Sequence, residues 1–294
     1  METRLFALAA LGIALTACTN DNEAMDKGSV PAEIKAEISA PADSHADDTQ
    51  WRDADEIGVS ESRFGFTNVP YVMTNGKFEP TRETIFFLDD EPTTFSAYYP
   101  YNAKGGTLTA TTDSAAQQNQ PDIDFLYATG ATASTHNPEV NFTDDTDAGG
   151  QDCSFHHCMS QISLTFEAGS GVEFSTIQPE SYTLSGLVLT GNFDIETGIA
   201  KADENAQEAD LAMELDGALS SSVILFPQTK ASIGVTVVFN GNKYNATLSI
   251  PEGTLKAGNN YTYTVTVRNM GLSIGSAVIS DWNPVSGGEV NAEL

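Results

Sequence analysis

The sequence predicts an all-β protein built as two antiparallel sandwiches in tandem, and three observations carry that prediction. Short runs of aromatic and β-branched residues recur along the chain, each bounded by Gly, Pro, Asn or Asp. No stretch shows sustained helical periodicity; 206–215 comes nearest and reads equally as a strand. An acidic, glycine-rich stretch, Asp144-Asp145-Thr146-Asp147-Ala148-Gly149-Gly150, divides the strands into two groups. Strands without crossover helices pair antiparallel, and two such groups give a sandwich in each half. The expected units are 1–17, 18–31, 32–150 and 151–294.

The first unit is an export signal. Arg4 opens a short basic region, and Leu5 to Leu15 form an apolar run too short to cross a bilayer. Leu15-Thr16-Ala17-Cys18 follows and resembles the lipobox of bacterial lipoproteins, which implies lipidation of Cys18 as the mature N-terminus. Two or three acyl chains hold a protein on a membrane almost permanently, since each buried methylene adds roughly 0.8 kcal/mol. The polar, acidic stretch to residue 31 reads as a flexible tether.

The strands follow in order. Ile34, Ala36, Ile38 and Ala40 alternate with Lys35, Glu37 and Ser39, the mark of a half-buried strand. Residues 57–65, 84–88, 94–99 and 125–128 supply further strands, and 109–121 reads as a polar loop. In the second half, strands are expected at 155–167, 182–189, 223–226, 233–239, 244–250, 261–267 and 272–279. Asn240-Gly241-Asn242 predicts a hairpin, because both central residues of such a turn need positive φ.

Composition narrows the partners. With 41 acidic residues against 13 basic ones, the net charge is −28. Nucleic acid, bound chiefly through Lys and Arg on phosphates, is excluded as a partner. Cys153, His156, His157 and Cys158 lie within six residues, but a tetrahedral metal site needs four convergent ligands, and only His45 and His136 remain elsewhere. On a strand His156 and Cys158 share a face while His157 points away. Asp145, Asp147 and Gly149 outline a calcium loop without its closing Glu. Cys153 and Cys158 pair only if the chain turns between them. There is no G-x-S-x-G elbow, phosphate-cradling loop or distinctive carboxylate pair, so the chain reads as non-catalytic, with no metal and no cofactor.

Several segments taken together carry a family resemblance. Trp51-Arg52-Asp53-Ala54-Asp55-Glu56-Ile57-Gly58 is similar to a segment near the start of the fimbrillin-type pilus proteins of the Bacteroidales. Phe95-Ser96-Ala97-Tyr98-Tyr99-Pro100, Asp124-Phe125-Leu126-Tyr127-Ala128 and Phe155-His156-His157-Cys158-Met159-Ser160-Gln161-Ile162 resemble later strands of that family. So do Lys256-Ala257-Gly258-Asn259-Asn260-Tyr261-Thr262-Tyr263 and Ile279-Ser280-Asp281-Trp282.

The resemblance implies two tandem transthyretin-like sandwiches, export to the cell outer membrane as a surface-exposed lipoprotein, and a role in adhesive fimbriae. The implied partners are other fimbrial subunits joined by strand donation, the outer membrane through the lipid, and a host or bacterial surface ligand. In the family, an arginine-specific protease removes the first strand, and the groove left behind accepts a strand from the next subunit. Here residues 41–50 hold no Arg or Lys, so Arg52 becomes the candidate processing site. Without cleavage the first strand stays in place, which suits a membrane-held anchor or accessory subunit. Asp113-Ser114-Ala115 matches a short O-glycosylation sequon, making Ser114 a candidate glycan site. The alternative function is a surface glycan-binding lipoprotein, which needs exposed aromatic platforms; Trp51 and Trp282 instead lie in motifs that read as packing.

Overall fold

The computed structural model describes residues 29–39, 50–175, 177–268 and 271–282. Cys18 lies outside them. Short strands connected by Gly- and Asn-rich turns account for most of the chain. The earlier strands are β1 (Val30–Pro31), β2 (Glu33–Ala36), β3 (Glu56–Glu61), β4 (Val69–Thr74), β5 (Lys77–Pro80), β6 (Phe86–Phe87), β7 (Thr93–Tyr99), β8 (Thr107–Thr111), β9 (Leu126–Ala133), β10 (Glu139–Phe142) and β11 (His156–His157). The next group comprises β12 (Ser160–Ala168), β13 (Pro179–Leu187), β14 (Thr190–Asp194), β15 (Ile199–Ala202), β16 (Ala209–Glu214), β17 (Ser220–Leu225) and β18 (Gln228–Thr229). The last are β19 (Ser232–Phe239), β20 (Asn242–Ser249), β21 (Thr254–Leu255), β22 (Asn259–Arg268), β23 (Gly271–Ile274) and β24 (Val278–Asp281).

The largest sheet runs β10-β2-β5-β4-β3-β7-β9-β11. It closes over a core that includes Ile57, Tyr71, Phe87, Phe95, Phe142 and Phe155. Later in the chain, β17-β12-β22 (extended by β23 and β24) faces β16-β13-β19-β20 across a second core containing Ile162, Leu184, Leu225, Val235 and Tyr263. Alternating burial along β22, with its Tyr and Val side chains inward and its Thr side chains half exposed, is the period-2 pattern of a strand covered on one face. Asn240 and Gly241 both have positive φ, at 51° and 69°, and close the β19–β20 hairpin.

Two observations depart from the sequence expectations, and a third settles a stretch left open between helix and strand. The sheets are not wholly antiparallel: β2 runs parallel to β10, and β12 runs parallel to β22. These partners are far apart in sequence, so the chain has room to return without a crossover helix. The stretch 109–121 is not all loop, since Thr107–Thr111 forms β8 and Ala116–Asp122 a 3₁₀ turn. Lone Thr-rich strands carry little apolar signal; β8 exists because it pairs with β14. The ambiguous 206–215 stretch contains strand β16, paired with β13.

The β8–β14 pairing, extended by β15, links elements well separated in sequence. A third core beside it collects Tyr98, Phe125, Met159, Phe193, Phe226 and Trp282, with Phe125 stacked on Phe193 at 4.7 Å. Gly58 is required for a close approach. A Cβ there would sit 2.3 Å from Tyr98 Cε1, so only glycine lets that ring cross β3. Tyr98 Oη then donates to Asn68 Oδ1 at 2.7 Å.

Candidate functional site

The most distinctive site is the seat of the first strand. Val30–Ser39 belongs to two sheets, β1 pairing with β6 outside the large sheet and β2 lying inside it between β10 and β5. On one side β1 pairs antiparallel with β6, and Ala32 N–H donates to Ile85 O at 2.9 Å. On the other, β2 pairs parallel with β10, with Glu33 N–H on Pro138 O and Glu37 N–H on Phe142 O. The ladder ends at Phe155, which donates to Glu37 O and accepts from Ser39 N–H at 2.8 Å.

Side chains alternate as the sequence requires. Ala32 and Ile34 are buried, Val30, Ala36 and Ile38 pack against the same core, and Glu33, Lys35 and Glu37 face out. Burying a side chain such as Ile34 contributes about 2–3 kcal/mol. Lys35 pairs with Glu139 across the strand and holds that carboxyl below its usual range, but both groups are solvated. The floor is aromatic: the core that Ile34 joins holds Tyr71, Phe78, Phe142 and Phe155, and the backbone pairs Ile34 with Phe78 of β5 and Ile38 with Phe155.

Trp51 seals the end of this seat. Its ring meets Phe78, Tyr99 and Phe155 edge-on at 5.2, 5.5 and 5.0 Å. Arg52 is exposed at the start of a tight turn. Its N–H donates to Asp55 Oδ2 at 2.7 Å, its carbonyl accepts from Asp55 N–H, and Ala54 sits at φ 76°. Tyr99 Oη donates to Asp55 Oδ1 at 3.2 Å, and burial with the neighbouring Asp55 charge pushes that phenol well above its ordinary range.

Ser114 is half-buried in the turn before the 3₁₀ segment, where Asp113 Oδ1 accepts the N–H groups of Ala115 and Ala116. Cys153 and Cys158 are both free thiols. Burial pushes the Cys158 thiol far up, so it stays protonated and inert. His156 approaches Asp152, whereas His157 is buried 2.9 Å from Asp124 and stacked on Trp282. Among the described residues, no group of three or more His, Cys, Asp or Glu side chains is placed to hold a metal ion. No helix among them is long and apolar enough to cross a membrane.

Sequence reading missed two polar features. Glu61 is buried and accepts the N–H groups of Arg63, Phe64 and Phe66, fixing the turn after β3. Gln117 is buried and bonds main chain as a strand would, accepting from Ile224 N–H and donating to Ile224 O at 2.7 Å. An isolated Gln or Glu in a polar stretch carries no sequence signal for such a role.

The fold has close counterparts. A solved structure of a "putative cell adhesion protein" from Bacteroides ovatus is 26% identical, with TM-score 0.72 over 87% of this chain and 99% of its own. A second, from Bacteroides uniformis, is 22% identical, with TM-score 0.70 over 87% of this chain and 99% of its own, a likeness of fold. A curated Bacteroides uniformis protein named "Putative fimbrium subunit Fim1C" is 24% identical over 94% of this chain and 93% of its own length. Residues 44–282, most of the chain and all of the described body after the first strand, match the fimbrillin-like family, and the protein belongs to that family.

Proposed function

We propose that this protein is a non-catalytic structural subunit of a cell-surface fimbria, joined to neighbouring subunits by strand donation and used in adhesion. The observation that carries this reading is the seat of Val30–Ser39. That segment is held by main-chain hydrogen bonds on two sides and by alternate apolar side chains over an aromatic floor. A seat of this kind accepts any strand with matching alternation, which is the physics of strand addition. Family membership and the fimbrium-subunit relative support the same reading.

The finer assignments rest on it. Each half, expected at 32–150 and 151–294 but with Val30–Pro31 and His156–His157 paired to strands of the first, is a transthyretin-like sandwich; Cys18 carries the lipid; the residues between Cys18 and the first strand tether the body to the outer membrane, facing outward. Arg52 is the candidate processing site and Ser114 the candidate glycan site. The turn that ties Arg52 to Asp55 opposes cleavage, because proteases take substrate in an extended conformation. An unprocessed chain keeps its own first strand, which favours an anchor or accessory role.

Intact mass and N-terminal status of the protein from its native membrane test this. A lipidated chain beginning at Cys18, with no shorter form, supports the anchor role. A form lacking the first strand and running as a heat-sensitive ladder makes it a shaft subunit. A monomeric, unlipidated, secreted chain overturns the assignment.

A further inference from the structure

Beside Ile38 the seat of the first strand ends in a half-open pocket of about 60 Å³. Its walls are Trp51, Tyr99, Leu126 and Ile224, and Arg52, Gln120 and Asp124 also line it. Ile34, two repeats of the alternation earlier, is 5% exposed, whereas Ile38 is only half-buried. Trp51 Nε1 is buried and has no hydrogen-bond partner among the described residues. Protein interiors are packed to crystal density, and space beside apolar walls forfeits contacts that a larger side chain would make. The resident strand therefore underfills its own seat at one register.

We propose that this pocket is a specificity socket: the strand the groove is shaped to receive from another subunit carries a tyrosine-like side chain, aromatic with a polar tip, at the register held by Ile38. The inference rests on the strand-donation reading and names the chemistry of its partner. The ring packs against Trp51, Tyr99, Leu126 and Ile224, and the hydroxyl lies among the polar groups of Arg52, Gln120 and Asp124. A donor so equipped displaces the resident strand because it gains contacts the resident lacks. The socket also fixes register, since a slip of one residue turns the whole apolar set of a strand to the wrong face.

The test uses the full chain with Ile38→Tyr, Ile38→Phe and Ile38→Ala. Thermal unfolding is measured for each, together with the rate of heat-sensitive ladder formation. Ile38→Tyr fills the socket and raises the Tm by about 2–4 °C, the shift that roughly 1 kcal/mol produces in a chain of this size. Ile38→Phe gives a smaller rise, and Ile38→Ala lowers the Tm. In both aromatic variants the resident strand leaves less readily, and ladder formation slows about tenfold. A lowered Tm in both aromatic variants overturns the socket. Stabilisation by Ile38→Phe but not by Ile38→Tyr overturns the polar-tipped donor. If the parent chain forms no ladder with subunits from its own cells, strand donation itself falls, and the donor with it, whatever the Tm values.

Discussion

His157 lies flat on Trp282, with ring centroids 4.0 Å apart and planes 10° from parallel, while its Nδ1 sits 2.9 Å from Asp124 Oδ1. Asp124 precedes β9, His157 belongs to β11 in the large sheet, and Trp282 follows β24 in another sheet. The stack thus fastens the end of the described chain to the first half. Trp282 N–H adds a bond to Gly258 O. Trp282→Ala removes a large buried ring and is expected to cost about 3–5 kcal/mol in urea unfolding. Trp282→Phe keeps a ring on His157 and is expected to cost less than half of that.

Gln117 closes an edge that would otherwise lie open. Its amide accepts from Ile224 N–H at 3.0 Å and donates to Ile224 O and Thr112 O, and Gln120 donates to Ser222 O. β17 pairs with β12 on one side, so these glutamines stand where a further strand would pair on the other. Gln117→Leu matches the size but leaves those backbone groups buried and unpaired, at about 1–3 kcal/mol for each group left dry. The expected result is a loss of about 2–4 kcal/mol, read by denaturant midpoint, with greater self-association by light scattering.

Much of this was legible in the chain. The alternation of Ile34, Ala36 and Ile38 identified the first strand, and the aromatic and β-branched runs at 94–99 and 261–267 identified β7 and β22 as strands. Asn240-Gly241 fixed its hairpin because few residues tolerate positive φ in succession. The parallel pairings of β2 with β10 and β12 with β22 were not legible, since local sequence carries no information on distant partners. Nor was β8, whose identity as a strand depends on β14. At the site, residue chemistry named Trp51 and Arg52, but only the fold reveals that one packs across the end of the groove and the other is bound into a turn. The Cys153–Cys158 question needed the same help: with both thiols free, native protein should react slowly with thiol reagents.

Alkaline pH should unfold the protein through its buried tyrosines. Burial pushes Tyr98, Tyr182 and Tyr263 up to about 12 from an ordinary value of 10. Their folded values lie above the unfolded one, so their contribution is complete below pH 10 and lost as pH rises toward 12. In that window the unfolded chain holds fewer protons than the native one, and stability falls with pH. Tyr182, the most enclosed, contributes a slope of up to about 1.4 kcal/mol per pH unit. Urea midpoints measured from pH 8 to 12 should stay level to pH 10 and then drop, and Tyr182→Phe should flatten part of that drop.

Asp55 should govern how readily Arg52 is cut. Its carboxylate accepts the Arg52 N–H on one oxygen and the Tyr99 hydroxyl on the other, while its own N–H binds Arg52 O. The bond after Arg52 is therefore folded into a turn, and an arginine-specific protease must open that turn before it can bind the chain extended. Asp55→Ala removes the side-chain half of the latch, worth about 1.5–3 kcal/mol for a hydrogen bond to a charged group. Where opening is fast relative to cleavage, the rate follows the open population, so cutting after Arg52 should accelerate roughly 10- to 100-fold. Mass spectrometry of timed digests reads this directly. The control is the exposed Arg82, which lies outside the turn and should be cut at the same rate in both proteins. An unchanged rate at Arg52 in Asp55→Ala would remove the turn as the barrier to processing.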